Sequence, residues 1–358
     1  NKIFKVIWSK SKQCYVVVSE MAKNKTGKKK IVVASILAAL AMQTASVIDV
    51  AAAVGDQPSA AIANGSVTSG KTNGLAIGNF ASSGSNQSIA IGYYSVATAT
   101  EADPALPATA VGAGANATGQ STVALGLLAQ ATSGSTTALG AKSVASEDAA
   151  VAVGYGTKAT GNYASALGAD ATASNNDATA FGHGTVASGG SSTALGSRAK
   201  AGGTAGVGIG MLANATNQYG VAIGGESSSS ADNSIAIGRK SSVTGESGIA
   251  IGAFTTSKGA NGVAVGTNGT KSDLGGVAVG QAAQSIAFNS VATGMNVTAK
   301  GANSVALGAS ATANDDGTIA IGSYGSTPTK ATGNRALAIG SATTANGLES
   351  IAIGSRVN

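Results

Sequence analysis

The chain has 358 residues, with 22 Lys and Arg against 16 Asp and Glu, a single His and a single Cys. Its basic excess sits in residues 1–53, where Glu20 and Asp49 are the only acids; the rest is close to neutral, so nothing in its net charge argues for a nucleic-acid or anionic-lipid partner. Beyond Cys14 there is no thiol for a disulfide framework or a thiolate metal site, and aromatic side chains make up only 4% of a composition dominated by Ala and Gly, which cannot build a bulky globular core.

The N-terminal 53 residues read as an export signal with an extension. Lys28, Lys29 and Lys30 form a positive n-region, Ile31 to Ala41 an apolar h-region, and Ala51-Ala52-Ala53 a small-residue cleavage site, placing the mature start near Val54. The strongly apolar run is too short for a membrane-spanning helix. Ahead of it, Asn1-Lys2-Ile3-Phe4-Lys5-Val6-Ile7-Trp8 continues through Cys14 and Tyr15 to Lys25. This aromatic and basic preface resembles the extended signal peptide region of large Gram-negative autotransporters. Residues 54–72 are expected to be a lead-in segment.

From residue 73 to residue 358 the chain repeats one phrase, an aliphatic residue, Ala, an aliphatic residue and Gly. The glycines fall at Gly78, Gly92, Gly112 and every fourteenth residue to Gly322, then at Gly340 and Gly354. Two intervals are out of step, with insertions expected in 93–111 and 323–339. A period held this long indicates a solenoid of stacked coils. The alternation Val123-Ala124-Leu125 predicts one strand, and Ala129-Gln130-Ala131 a second, with turns at the Gly and at a later Gly, Asn or Asp such as Gly119, Gly161, Asn175 or Asp315. Pro104, Pro107 and Pro328 fall in the out-of-step intervals and Pro58 precedes the first repeat, so none interrupts a regular strand. The predicted fold is all-β, a parallel β-roll of 14-residue coils rising ~4.7–4.9 Å each. Its large aliphatics are expected inside, facing small residues of the second strand. The Ala row of the first strand (Ala76, Ala90, Ala124, Ala152, Ala236, Ala306) is then expected outside as a small apolar stripe that joins copies into a cyclic homo-oligomer; a monomeric solenoid with an Ala-coated face is the alternative.

Asn233-Ser234-Ile235-Ala236-Ile237-Gly238, with Ser241 three residues past the Gly, resembles the head repeat of trimeric autotransporter adhesins of the YadA kind, and Asn303-Ser304-Val305-Ala306-Leu307-Gly308 repeats it with Ala311 in place of the Ser. The resemblance runs from about Asn73 to Asn358. It implies a left-handed, homotrimeric roll carried on a coiled-coil stalk and a trimeric outer-membrane barrel. Neither stalk nor barrel pattern follows Ser355-Arg356-Val357-Asn358, so the chain is expected to be the N-terminal part of a longer protein whose anchor lies beyond it.

Catalytic chemistry finds little support. His183, just after Gly182, is the sole candidate base and reads better as a solvated turn residue. Glu147-Asp148 and Asp315-Asp316 lack the pattern of calcium-binding rolls, and no glycine run closes on Gly-Lys-Ser or Gly-Lys-Thr. Sequons such as Asn116-Ala117-Thr118 and Asn214-Ala215-Thr216 follow from composition. No enzyme, metal site or cofactor is expected.

Variation concentrates instead in the two residues after each repeat Gly: Tyr93 and Tyr94, Leu127 and Leu128, Arg198, Met211 and Leu212, Arg239 and Lys240, Phe254, Met295 and Tyr324. Stacking aligns these along one edge, which either grips an extended partner by many weak contacts or is tolerant of substitution or buried between copies. The family resemblance implies collagen binding by repeats like Asn233 to Ser241, pointing to Asn233, Ser234, Ile235, Ala236, Ile237, Gly238 and Ser241, which the roll also needs in order to fold. Two functions follow as expectations: an adhesin head for extracellular matrix or host cells, or a spacer that self-associates in autoaggregation and biofilm.

Overall fold

The computed structural model describes residues 73–99, 106–322 and 327–358 in full, and residues 4–9, 14–19, 60–62 and 67–68 as strands alone. Lys28 to Ala53, Pro58, Pro104 and Tyr324 lie outside the described residues. In the N-terminal unit, residues 1–47, strands Phe4–Ser9 and Cys14–Ser19 pair antiparallel, with Phe4 opposite Ser19 and Ser9 opposite Cys14.

The second unit, residues 48–358, is a roll of two parallel ladders. Each coil gives a three-residue strand to one and a two-residue strand to the other. Val123–Leu125 lies beside Thr137–Leu139, with Ala124 next to Ala138, while Gln130–Ala131 lies beside Val144–Ala145. Equivalent positions therefore stack directly above one another. Turn amides extend the ladders between the strands, as where Leu128 N–H donates to the Ala113 carbonyl at 2.8 Å and Ser135 N–H to that of Gln120 at 2.7 Å. Nearly every backbone group along the coil thus meets its partner in the coil above or below, which is what a thin roll needs.

Two tight turns close each coil, and both use left-handed backbone. The repeat Gly takes φ between +114° and +145° wherever it is left-handed, as at Gly308 and Gly322, and two residues later the chain again has positive φ, as at Leu128 (57°) and Lys240 (57°). A Cβ at Gly238 would sit 2.6 Å from the carbonyl of Gly252, so both conformation and close backbone approach require the glycine. The second turn places one more left-handed residue, such as Ser135 or Asn233.

The interior reverses the expectation for the first strand. Ala124, Ala129, Ala131 and Thr136 are fully buried, and the same four positions are small in nearly every coil. Val123 and Leu125, flanking Ala124, point outward at 38% and 39% exposure. The Ala row is the inside of the roll, and the large aliphatics form its outer stripe. The cause is the closeness of the layers. At Gly208, the one first-strand position without a methyl, an added Cβ would lie 2.4 Å from the Lys200 carbonyl across the roll. Packed sheets ordinarily stand ~10 Å apart, room for Leu or Ile; two tight turns per coil hold these layers closer. Where one interior residue grows, its neighbour shrinks: Val243 is fully buried, and a Cβ on Gly248 would meet it at 2.8 Å.

Most polar side chains inside are paired, the buried hydroxyls of Ser192, Ser272 and Ser304 being exceptions. Ser83 and Ser88 share a hydrogen bond of 2.7 Å, and Ser229–Ser234 and Ser285–Ser290 repeat the pair at 2.6 Å. Ser95, Ser143, Ser227 and Ser241 donate back to the repeat Gly of their own coil. Thr157, Thr185, Thr255, Thr329 and Thr343 at the same position donate forward to the next one, tying coil to coil.

The roll includes a coil before residue 73, since Ala60–Ile62 pairs with Leu75–Ile77 and Val67–Thr68 with Ser82–Ser83. The two insertions leave the ladders intact: Ile91 pairs with Val111 and Ile321 with Ile339. A third irregularity is hidden by the fourteen-residue spacing of Gly252, Gly266 and Gly280. Thr256 pairs with Lys271 and Lys271 with Gln284, steps of fifteen and then thirteen. Gly269 (φ 88°) is an extra residue in the first turn, and the second turn, ending at Gly276, is one residue short.

Candidate functional surface

Four long surfaces follow from this geometry. The outer face of the three-residue ladder is aliphatic, with Leu125, Leu167 and Leu307 half-exposed and Val, Ile, Leu, Thr or Ser at the other outer position. The outer face of the two-residue ladder is polar, occupied by Thr, Ser, Asn, Gln and Lys with a minority of Val. The remaining two are the turn edges.

On the first-turn edge the variable residues line up as expected. Phe80 stacks on Tyr94 (centroids 4.8 Å apart, 20° between planes), and Tyr93 meets Tyr94 edge-on at 4.5 Å. The Arg239 guanidinium lies 4.5 Å from the Phe254 ring centre, and Lys240 reaches both that ring at 6.0 Å and the Glu226 carboxylate at 3.5 Å. Arg198, Met211 and Leu212 are exposed on the same edge.

The second-turn edge is acidic, and its Asp residues brace the coils. Asp232 accepts a hydrogen bond from Gln218 N–H at 3.2 Å and Asp316 from Ala302 N–H at 2.8 Å, each in the preceding coil. Asp148 does the same for Gly134 N–H at 3.1 Å. These carboxylates thus cap turn amides. Among the described residues no three His, Cys, Asp or Glu gather to hold a metal ion, and no helix is long and apolar enough to cross a membrane.

The residues singled out around residue 233 separate by side. Ser234, Ala236 and Ser241 are fully buried. Ser234 donates to the Ala231 carbonyl at 2.6 Å and Ser241 to that of Gly238 at 2.9 Å, so these three reach no external ligand while the roll is closed. Gly238 is held by the turn. Ile235 and Ile237 stand on the outer aliphatic face, and Asn233, Arg239 and Lys240 are exposed on the edges. His183 is a first-turn residue of one coil, with neither Asp nor Glu in that turn.

The aliphatic outer face was not anticipated. Its signal was the size restriction of the central position, always Ala except for Gly208, beside flanking positions that accept Ile, Leu, Val, Phe, Thr and Ser. A position that admits no enlargement marks a tight interior, whereas one tolerant of shape marks a surface.

An all-β roll with small residues inside and repeating rows of side chains outside is a display module, built to present one surface many times over. Residues 1–47 match the Extended Signal Peptide of Type V secretion system. The segments 69–100, 107–129, 131–157, 159–185, 187–212, 215–241, 244–268, 299–324 and 331–356 match the YadA head domain repeat and together cover more than half of the chain. The chain therefore belongs to the YadA-type trimeric autotransporter adhesins, proteins exported to the bacterial cell surface. No curated protein matches it. The unmatched stretch 269–298 contains the shifted coil, yet its strands continue both ladders without a break.

Proposed function

We propose that this chain is the head of a homotrimeric adhesin that attaches the cell to collagen-type matrix ligands or to host cells, using its first-turn edge, and that it performs no catalysis. The observation that carries this is the exposed first-turn edge, where Phe80 with Tyr93 and Tyr94, and Arg239 and Lys240 with Phe254, fall on adjacent coils of one ladder and Arg198 stands between the two groups. Many weak contacts at fixed spacing suit an extended fibrous ligand, because each bound site raises the effective concentration for the next. The outer aliphatic face supports assembly: it is an unbroken apolar stripe of a size monomeric proteins seldom leave in water. Copies meeting there would bury Ile235 and Ile237 and leave both edges and the polar face to ligands.

The test is binding of the full chain to immobilised collagen, fibronectin and laminin, with Tyr93→Ala/Tyr94→Ala and Arg239→Ala/Lys240→Ala beside the unmodified protein. Loss of binding with circular dichroism and association state unchanged is the expected result. Binding retained by both variants would remove this edge from the ligand surface. A protein that clumps cells but binds none of the three ligands would make the head a self-associating spacer.

A further inference from the structure

The near-zero net charge of the roll conceals a separation of charge by surface. Lys158, Lys200, Lys271 and Lys330 each open a two-residue strand, and Lys258 and Lys300 each follow one directly. Strand alternation puts all six on the outer face of the two-residue ladder, where each is exposed and none is in an ion pair with another described residue. All but one of the described acids lie elsewhere. Glu147, Asp148, Asp177, Asp232, Glu246, Asp315, Asp316 and Glu349 occupy the second-turn edge, and Asp170 and Glu226 the first. Asp273 is the exception: it follows its two-residue strand directly, the place Lys258 and Lys300 hold in theirs, one coil from Lys258, and its carboxylate accepts a hydrogen bond from the Leu274 amide at 2.9 Å.

From this arrangement we infer that the polar face between residues 258 and 330 is a binding track for a sulfated polysaccharide. Four of the lysines fall in this span, in two adjacent rows along the roll, Lys271 and Lys330 opening their strands and Lys258 and Lys300 following theirs. Lys258 and Lys271 are on successive coils, and Lys300 and Lys330 follow at intervals of two coils, so neighbouring ammonium groups stand about 5–10 Å apart along the axis. A linear polyanion with closely spaced sulfates can meet these rows with one charge after another and release its counterions as it binds. Between the lysines the face carries Thr256, Gln284, Thr298 and Thr312, donors and acceptors for sugar hydroxyls. Its described residues include no aromatic side chain for stacking bases, which disfavours single-stranded nucleic acid. A narrow track whose one exposed large apolar side chain among the described residues is Ile286 also disfavours a lipid bilayer. This track is separate from the first-turn edge and would act beside the collagen-type binding proposed above.

The test is binding of the full chain to a heparin decasaccharide at 0.15 M NaCl, compared with Lys258→Gln/Lys271→Gln/Lys300→Gln/Lys330→Gln. The inference predicts affinity at least tenfold weaker for the quadruple variant, a shallower dependence on salt, and no binding of fully desulfated heparin. Lys158→Gln/Lys200→Gln, lysines three coils apart, should change affinity less than threefold. Because all six side chains are exposed, circular dichroism should be unchanged throughout, and collagen binding should be as in the unmodified chain, so the two readings fail separately. Undiminished heparin binding by the quadruple variant would overturn the inference. So would tighter binding to phosphatidylserine vesicles or to single-stranded DNA than to heparin.

Discussion

Ala236 and Ile235 are neighbours in sequence with opposite duties. Ala236 is fully enclosed between layers that leave room for a methyl group, while Ile235 is half-exposed on the outer stripe. Enlarging the first overpacks a site with no slack, at a cost of about 1–3 kcal/mol or more. Trimming the second removes surface the isolated roll does not bury. Ala236→Leu should therefore lower the unfolding midpoint in denaturant, and Ile235→Ala should leave it nearly unchanged in dilute, dissociated protein. Equal destabilisation by both would mean that the aliphatic row, not the Ala row, fills the roll. Ranking residues by hydrophobicity led to the opposite expectation, because it assumes a sheet spacing wide enough for large side chains.

At the scale of the coil, stability comes from stacking. Four small residues bury little apolar area each, at roughly 25 cal/mol per Å², so the hydrogen-bond ladders and the ties between coils carry much of the cohesion. Thr255 provides one such tie, donating to the Gly266 carbonyl of the next coil at 2.8 Å. Thr255→Ala should cost about 1 kcal/mol and speed amide hydrogen exchange around Gly266. Thr255→Ser should keep the hydroxyl but direct it to the coil's own glycine, as Ser241 does, and leave the intercoil tie lost. Unchanged exchange in Thr255→Ala would show that the tie adds nothing to the ladder. Exposed ion pairs add little: Arg335 and Glu349, at 2.9 Å, are 75% and 61% exposed. Coil period and strand pairing were legible in the spacing of the glycines, because every coil repeats the same ladder. The shifted coil was not, since its extra Gly269 and its shortened second turn cancel in the count from Gly266 to Gly280. The candidate edge was legible for the same reason as the period, through variable residues at a fixed offset. The buried places of Ser234 and Ser241 were not, because a motif does not say which of its side chains turn inward.

For the molecule as a whole, the central claim is that the outer aliphatic face is where copies of this head meet. An interior of Ala, Ser and Thr leaves the rows through Ile223, Ile237 and Val265 as the largest apolar surface of the roll, and the family to which the chain belongs is homotrimeric. The most direct test is sedimentation equilibrium of the full chain at micromolar concentration beside Ile223→Lys/Ile237→Lys/Val265→Lys. These positions face outward, so the substitutions place charges on a surface water already reaches in the monomer and bury them unpaired in the assembly. The account predicts a trimer for the unmodified chain, and for the variant a folded species of lower mass with the same circular dichroism. A folded monomer for the unmodified chain, or a variant that remains fully trimeric, would contradict it.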